Sequence, residues 1–365
     1  MEFSNIDNES YCSKCFEKLS NGIICKNCGY DNDTQVDSIY IQPMTIILND
    51  RYAVGAMIEH ESDAVTYFGY DLHLDKIITI REFLPKGIAN RLDIINNLDI
   101  HIRNRYKSSF DELKNSFINL WKTIMKMDML SAIIPTYDVF ECNGTVYAVS
   151  EYVESVSLRE YLIRQDDGII SWDTARYMFM PVLTTLESLH SNGIIHGGIC
   201  PDNLLLCRDG KIKLKGFCIL EASTMSSKLE FNVNEGYTAI EQYDNNHKVC
   251  PATDIYAFSA CIYRALVGHN PPNAKSRAIH DNLIIPNNIA EKIPTYVIKA
   301  LGGGMKIYPQ DRTMSFESFR EQLLYGEEFE RENSYLNDCE INSTRLFTKT
   351  NNNHMNRTNI GLKSA

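Results

Sequence analysis

Four cysteines are spaced for metal chemistry. Cys12-Ser13-Lys14-Cys15 and Cys25-Lys26-Asn27-Cys28 form two C-x-x-C pairs with nine residues between them. Each pair points two thiolates from one tight knuckle, and four soft sulfur ligands in a tetrahedron suit Zn²⁺. Gly29 follows the second pair, where a permissive backbone helps the turn. Two disulfides or four idle thiols are the competing reading; paired C-x-x-C spacing favours the metal. A module of this size, residues 11–31, cannot fold on apolar burial alone, so the ion would supply its folding energy.

A second constellation is Ile194-Ile195-His196-Gly197-Gly198-Ile199-Cys200-Pro201-Asp202-Asn203-Leu204-Leu205-Leu206. An apolar pair leads into a polar turn, and an apolar run leads out into a short hairpin. This stretch resembles the catalytic loop of eukaryotic-type protein kinases, H-R-D-L-x-x-x-N. His196 and Asn203 stand at its His and Asn, while Gly197 and Gly198 stand at the Arg and the catalytic Asp. In the family that Asp takes the proton of the acceptor hydroxyl; glycine cannot. His196 could be read as a base, but a packed core histidine is the commoner role, and Asn203 reads as an amide that staples the loop.

The elements that would position this loop carry the same resemblance. Ile58 to Tyr67 lies on the glycine-rich phosphate loop, with Glu59, Glu61 and Ala64 at its three glycines and Asp63 at its tip. Carboxylates there oppose a polyanion: at an effective dielectric near 20 and about 6 Å, each pair with a phosphate charge costs about 3 kcal/mol before screening. A solvated surface turn is the simpler reading of the cluster. Lys76-Ile77-Ile78-Thr79-Ile80-Arg81-Glu82-Phe83-Leu84-Pro85 resembles the V-A-I-K strand in its bacterial form. Arg81 replaces the phosphate-binding Lys and is expected to pair with a nearby carboxylate; Thr79 replaces the small Ala over adenine. Phe110, Leu113, Phe117, Leu120, Ile124 and Met127 recur at helical spacing within 108–127. The best register puts Leu120 at the glutamate that would pair with the lysine, and 115–127 holds no Asp or Glu. Strands are expected over 133–140 and 145–152, joined at Asn143-Gly144, and Glu151-Tyr152-Val153 would be the hinge. Thr79, Arg81, Glu151, Val153 and Leu205 would line the vestigial cleft.

Trp172 to Ser191 reads as an amphipathic helix containing Pro181. Lys211 to Cys218 resembles the approach to D-F-G, with Gly216 in place of the magnesium-binding Asp. Cys200 and Cys218 would then lie close together: a redox pair or second metal site is the competing reading, and small buried apolar residues are the expectation. Downstream landmarks are better kept. Glu241 stands at the A-P-E glutamate, Asp254 opens the D-x-Y-x-x-G pattern, and Arg312 stands at the arginine that pairs with that glutamate. Residues that hold a large lobe together survive; those that touch ATP, Mg²⁺ or an acceptor hydroxyl do not.

Composition bounds the partners. The 365 residues carry 36 Lys and Arg against 47 Asp and Glu, a net charge of −11, and no apolar run reaches a membrane span. The ribbon's charges sum to +1, which offers no footprint for nucleic acid. Seven further cysteines lack C-x-x-C spacing, so a reducing cytoplasm is the expected home.

The resemblance, over Arg51 to Leu324, implies an α+β, bilobal protein-kinase-like fold preceded by a small zinc ribbon. The expected order is a disordered 1–10, the ribbon at 11–31, a linker at 32–50, the domain at 51–326 and a disordered tail at 327–365. Its small lobe would be 51–153 and its large lobe 154–326. The implied function is that of a pseudokinase: structural zinc, no ATP or Mg²⁺, and a protein partner, an active kinase or its substrate. An unconventional ATP-using transferase is the alternative, and it would need carboxylates re-supplied near the magnesium position, for which Asp202 is the adjacent candidate.

Overall fold

The computed structural model describes residues 11–20, 23–92, 98–244 and 248–324. The expected disordered ends, 1–10 and 327–365, lie outside the described residues.

The small lobe is an antiparallel sheet built from β1 (Ile46–Ile47), β2 (Tyr52–His60), β3 (Ala64–Asp71), β4 (Lys76–Phe83), β7 (Thr136–Cys142) and β8 (Thr145–Glu151), in the order β1-β2-β3-β4-β8-β7. A small hairpin of β5 (Ala89–Arg91) and β6 (Ile100–Ile102) leads into helix α1 (Lys107–Met125). Asn143 and Gly144 turn β7 into β8 with φ of +52° and +73°, the left-handed pair that a two-residue hairpin requires. The helix buries Phe110, Leu113, Phe117, Trp121 and Ile124 against the sheet, so the spacing of three and four marks its inner face.

The large lobe holds β9 (Ser155–Ser157), α2 (Leu158–Ile163), α3 (Trp172–Ser191), the hairpin β10 (Leu204–Cys207) and β11 (Ile212–Leu214), then α4 (Pro251–Val267), α5 (Ala274–Ile279), α6 (Asn287–Ala290), α7 (Thr295–Gly304) and α8 (Phe316–Leu324). Nearly every residue of α4 is buried, as suits the central helix of a lobe. The apolar core is continuous from Ile78 and Phe83 in the sheet through Phe117, Trp121 and Phe217 to Phe258 in α4. This is the bilobal α+β kinase-like architecture.

The stretch 32–50, expected as a linker, lies against the sheet. Ile41, Met44 and Ile47 are buried, and β1 pairs with β2 through Ile46 opposite Ala53 and Ile47 opposite Tyr52. Apolar residues spaced along the stretch give it a reason to lie on the sheet, and β1 lengthens the sheet at its edge.

Candidate functional site

Asp254, buried in the first turn of α4, holds the turn that carries His196. Its carboxylate accepts from the backbone N–H groups of His196 and Gly197, each at 2.8 Å, and lies 2.8 Å from His190 Nε2. The Gly198 N–H donates to His196 Nδ1 at 3.2 Å, so the proton sits on Nε2, which donates to the Lys215 carbonyl at 2.9 Å. Burial pushes the His196 imidazole below its ordinary pKa, against the pull of Asp254, so the ring is neutral. It packs on Phe217 with centroids 4.6 Å apart. With both ring nitrogens engaged, His196 is a packing residue. Asn203 donates to the Gly198 carbonyl at 2.8 Å, the stapling role. Asp202, by contrast, turns away: both carboxylate oxygens lie 2.8 Å from Arg159 Nε.

The two degenerate glycines differ. A Cβ on Gly198 would meet nothing nearer than 3.7 Å. Gly216 has φ +76°, and a Cβ there would lie 2.6 Å from Asn203 Nδ2. The chain has filled the second position and left space at the first.

The phosphate-loop carboxylates are not a solvated turn. Asp63 is fully buried and accepts from Arg81 Nη2 at 2.9 Å and from the Ile219 N–H at 2.9 Å. Glu61 pairs with Arg81 Nη1. Glu59 accepts from Lys215, 2.9 Å away and next to Gly216. Burial raises the Glu61 carboxyl, but the Arg81 guanidinium outweighs it and holds the group below its usual range. For the fully enclosed Asp63 burial is the larger effect and raises the group, opposed by Arg81 and the Ile219 N–H. The expected ion pair of Arg81 is present, with both partners from the hairpin 61–63 and none from α1.

The helix register also differs from expectation. Trp121, not Leu120, faces Arg81, with the guanidinium carbon 5.9 Å from its ring centroid. Trp121 also meets Phe217 edge-on at 6.5 Å. Leu120 lies on a neighbouring groove with Cys218, Ile219 and Leu220. Adjacent helical residues point about 100° apart, and an indole fills the space where the family pattern has a carboxylate. Only the tip-to-segment contacts of Asp63 were without any sequence signal; Arg81, an inward-facing cation, already demanded an anion.

Between the lobes lies a cavity of about 260 Å³. All five expected cleft residues, Thr79, Arg81, Glu151, Val153 and Leu205, line it, together with Trp121, Lys215, Gly216 and Phe217.

A family model for the protein kinase domain matches residues 102–326, more than half of the chain. The chain belongs to the protein kinase domain family. The match begins after the hairpin and strand that carry the phosphate-loop and Arg81 departures. The chain is 25% identical over 228 residues to the serine/threonine-protein kinase PknL of Mycobacterium tuberculosis, covering 62% of this chain and 51% of that one. It is 26% identical over 173 residues to the SNF1-related protein kinase catalytic subunit alpha KIN12 of Arabidopsis thaliana, covering 46% of this chain and 35% of that one. It thus spans about half or less of the length of these curated relatives. The solved structure of PpkA-294 in its apo form superposes with a TM-score of 0.64 at 23% identity, over 78% of this chain and all of that one. The kinase domain of M. tuberculosis PknI gives 0.52 at 15%, over 78% and 98%. These two establish the kinase fold.

The kinase landmarks of the large lobe are assembled. Arg312 donates to both oxygens of Glu241 at 2.7 and 2.9 Å, and neither side chain is exposed. Thr253 Oγ1 also donates to Glu241, and Arg312 donates to the carbonyls of Ala252, Lys306 and Ile307. The start of the activation segment is not free: Ile219 is held by Asp63, and Gln242 Nε2 donates to the carbonyls of Gly197 and Ser223 at 2.7 and 2.9 Å. Cys200 and Cys218 form no joint site. Both are free, and the thiol that feels Cys200 is that of buried Cys261.

At the other end of the small lobe the sulfurs of Cys12, Cys15, Cys25 and Cys28 all lie within 4.8 Å of one another. The shortest contacts, Cys12 to Cys28 and Cys15 to Cys25, are 3.6 Å and join the two knuckles. That is far longer than the roughly 2.05 Å of a disulfide, and close to the roughly 3.8 Å edge of a tetrahedron with metal–sulfur bonds of about 2.3 Å. Burial opposes ionisation of Cys25, but backbone bonds at Cys28 and Asn27 outweigh it and bring the thiol to about 7, while burial pushes Cys28 up to about 12. Four such thiols become thiolates together only around a cation, and the donor set fits a soft divalent ion such as zinc. The knuckle docks on the kinase sheet: the Ala56 N–H donates to the Ser13 carbonyl at 2.7 Å, and Phe16 packs on Tyr70 at 5.3 Å. Position 55 must be glycine, because a Cβ would fall 2.3 Å from the Ser13 oxygen. Among the described residues no helix is long and apolar enough to cross a membrane.

Proposed function

We propose that this kinase-fold chain does not transfer phosphate and works as a pseudokinase, a protein-binding scaffold or regulator in serine/threonine kinase signalling. One observation carries the reading: the chain's own carboxylates, Glu61 and Asp63, take the guanidinium that stands at the phosphate-binding position. The groups that would take the acceptor proton and hold the metal are glycines, Gly198 and Gly216. General-base and electrostatic terms each contribute orders of magnitude to rate, so their joint loss leaves no useful phosphotransfer. In this reading Cys12, Cys15, Cys25 and Cys28 hold a structural zinc that folds the ribbon, with no part in chemistry. The ribbon exposes Ile23 and Ile24, an apolar pair suited to a protein partner such as an active kinase or its substrate. The chain's acidity opposes nucleic acid, and a cytoplasmic site suits a metal-thiolate module.

The test is incubation of the purified chain with radiolabelled ATP and Mg²⁺ or Mn²⁺, alone and with generic protein acceptors. No label should appear on either. A second reading, an unconventional ATP-using transferase, draws on Glu59, whose carboxylate reaches Lys215 beside Gly216. Label transfer that vanishes in Glu59→Gln or Asn203→Ala would establish it.

A further inference from the structure

Outside the cleft, a groove of about 380 Å³ lies between α1, the turn that follows α3 and the residues after Phe217. Its apolar part is Leu120 of α1, Ile194 and Ile195 of the turn, and Ile219 and Leu220. Leu220 is 49% exposed, so the groove opens to solvent beside that side chain. An apolar cavity of about 150 Å³ holds a benzene ring, which leaves room here for a phenyl ring and a second apolar side chain. Glu221 is the one charged residue of the lining. Among the described residues it accepts from the Ser116 hydroxyl at 3.3 Å and has no cation beside it. An apolar floor with one uncompensated carboxylate at its rim is complementary to an apolar segment that carries positive charge.

The chain carries such a segment. Residues 325–365 lie outside the described residues, and their sequence changes character part-way. Before Ile341 the apolar residues stand among acids: Phe329 between Glu328 and Glu330, Tyr335-Leu336 ahead of Asp338. From Ile341 to Ala365 the charged side chains are Arg345, Lys349, Arg357 and Lys363, with no Asp or Glu, on a chain whose net charge is −11. In that basic stretch Leu346-Phe347 is the one pair of adjacent large apolar residues, and Arg345 and Lys349 flank it. The segment also starts close by. Helix α8 lies along α3, with Phe316 against His190 and Arg320 on Glu187, and α3 ends at the turn that walls the groove. At 1.5 Å per residue, Leu324 stands about 15 Å along α3 from that turn. The residues from 325 to 345 can span about 70 Å when extended, several times the distance required.

From this match we infer that the groove is the docking site of the chain's own segment 345–349, with Leu346 and Phe347 on Leu120 and Leu220 and the flanking cations at the Glu221 rim. Tethering holds the segment at an effective concentration in the millimolar range, so weak contacts suffice to seat it. The docked segment covers α1 and the start of the activation segment, and a protein partner that uses this face must first displace it. The inference does not depend on whether the chain transfers phosphate.

The experiment is digestion of the full-length protein with dilute trypsin under native conditions. Mass spectrometry reads the rate of cleavage after Arg345, Lys349, Arg357 and Lys363, each divided by its rate in a synthetic peptide of residues 325–365. Docking should slow the cuts after Arg345 and Lys349 by about tenfold or more, while those after Arg357 and Lys363 run at the rate of the peptide. Leu220→Asp, which puts a charge on the apolar floor, should restore cleavage after Arg345 and Lys349. Glu221→Gln, which keeps the shape of the rim and removes its charge, should reduce the protection about threefold; if Leu220→Asp does not fold, this variant still decides. Equal relative rates at all four bonds overturn the inference and leave the groove to a separate protein. Protection that disappears on dilution overturns it in favour of a second copy of the chain, and protection unchanged in both variants overturns it by placing the segment elsewhere on the domain.

Discussion

Asp63, at the tip of the first hairpin, accepts the backbone N–H of Ile219, at the start of the activation segment, across 2.9 Å. Its other oxygen accepts from Arg81. One side chain therefore ties the phosphate-loop hairpin, strand β4 and the large lobe. In an active kinase these parts are joined through nucleotide and metal; here the chain joins them with its own carboxylate.

Asp63→Ala should therefore destabilise strongly. It strands a buried guanidinium and a buried N–H, and breaking a buried pair costs roughly 3–5 kcal/mol, here toward the lower figure because Glu61 stays on Arg81. Urea unfolding gives the number. A variant within 1 kcal/mol of the parent would mean that the tie carries little load.

Arg312→Ala should cost a similar amount, roughly 3–5 kcal/mol, because it leaves Glu241 fully buried without its two charge-assisted bonds. Arg312→Lys should not rescue it, since an ammonium cannot reproduce the planar fork that also reaches three carbonyls. Comparison of the three melting curves checks this, and a lysine variant as stable as the parent would refute the fork argument.

Zinc removal should unfold the ribbon and release the sheet edge it covers. Protein purified without added metal should contain close to one zinc per chain. After chelation, the amide protons of Ala56 and Val54, whose acceptors are the Ser13 and Thr45 carbonyls, should exchange faster. Gly55→Ala should reproduce the exchange at Ala56 while retaining the metal, because its Cβ clashes with the Ser13 oxygen and leaves the thiols untouched. Retention of parent-like exchange in Gly55→Ala would show that the docking seen at Ser13 is not maintained in solution.

How much of this was legible in the sequence depends on the range of the interaction. The four cysteines, the Glu241–Arg312 pair and Asp254 carry motif spacing, and each was found where that spacing put it. The stretch 32–50 reads as a linker that turns apolar at 45–48, and its packing on the sheet depends on a surface that no local period announces. Leu120 and Trp121 are neighbours on one helix, and an apolar stripe does not fix which of two adjacent residues faces a strand end. The inward turn of Glu61 and Asp63 was hidden for a further reason. Three acidic residues in a hairpin look like surface until the partner, Arg81, is known to be enclosed.

Acid should weaken the fold in a definite window. Burial lowers the pKa of both His196 and His60 from the ordinary value of 6.5. A histidine with a depressed folded-state pKa takes up its proton more readily when unfolded. Its stabilisation is complete above the unfolded pKa and is lost as pH falls below about 6.5. The loss is at most about 1.4 kcal/mol per pH unit for each ring. Chemical unfolding from pH 8 to pH 5 should show this slope, reduced in His60→Gln. A flat profile across that interval would contradict the burial argument.

The two glycines of the vestigial centre give the sharpest test of lost catalysis, because the structure predicts different fates for them. Gly198→Asp should fold like the parent: its backbone is ordinary, and the nearest atom to the new Cβ is 3.7 Å away. Gly216→Asp should lose more than about 1 kcal/mol, since an L side chain resists φ +76° and its Cβ meets Asn203 at 2.6 Å. Gly198→Asp supplies the missing base, yet Arg81 remains held by Glu61 and Asp63 and the metal ligand is still absent. It should therefore transfer no phosphate, and the double variant should be the less stable protein and no better an enzyme. Phosphotransfer by Gly198→Asp alone would show that one residue separates this chain from an active kinase, and that its own carboxylates yield to the nucleotide.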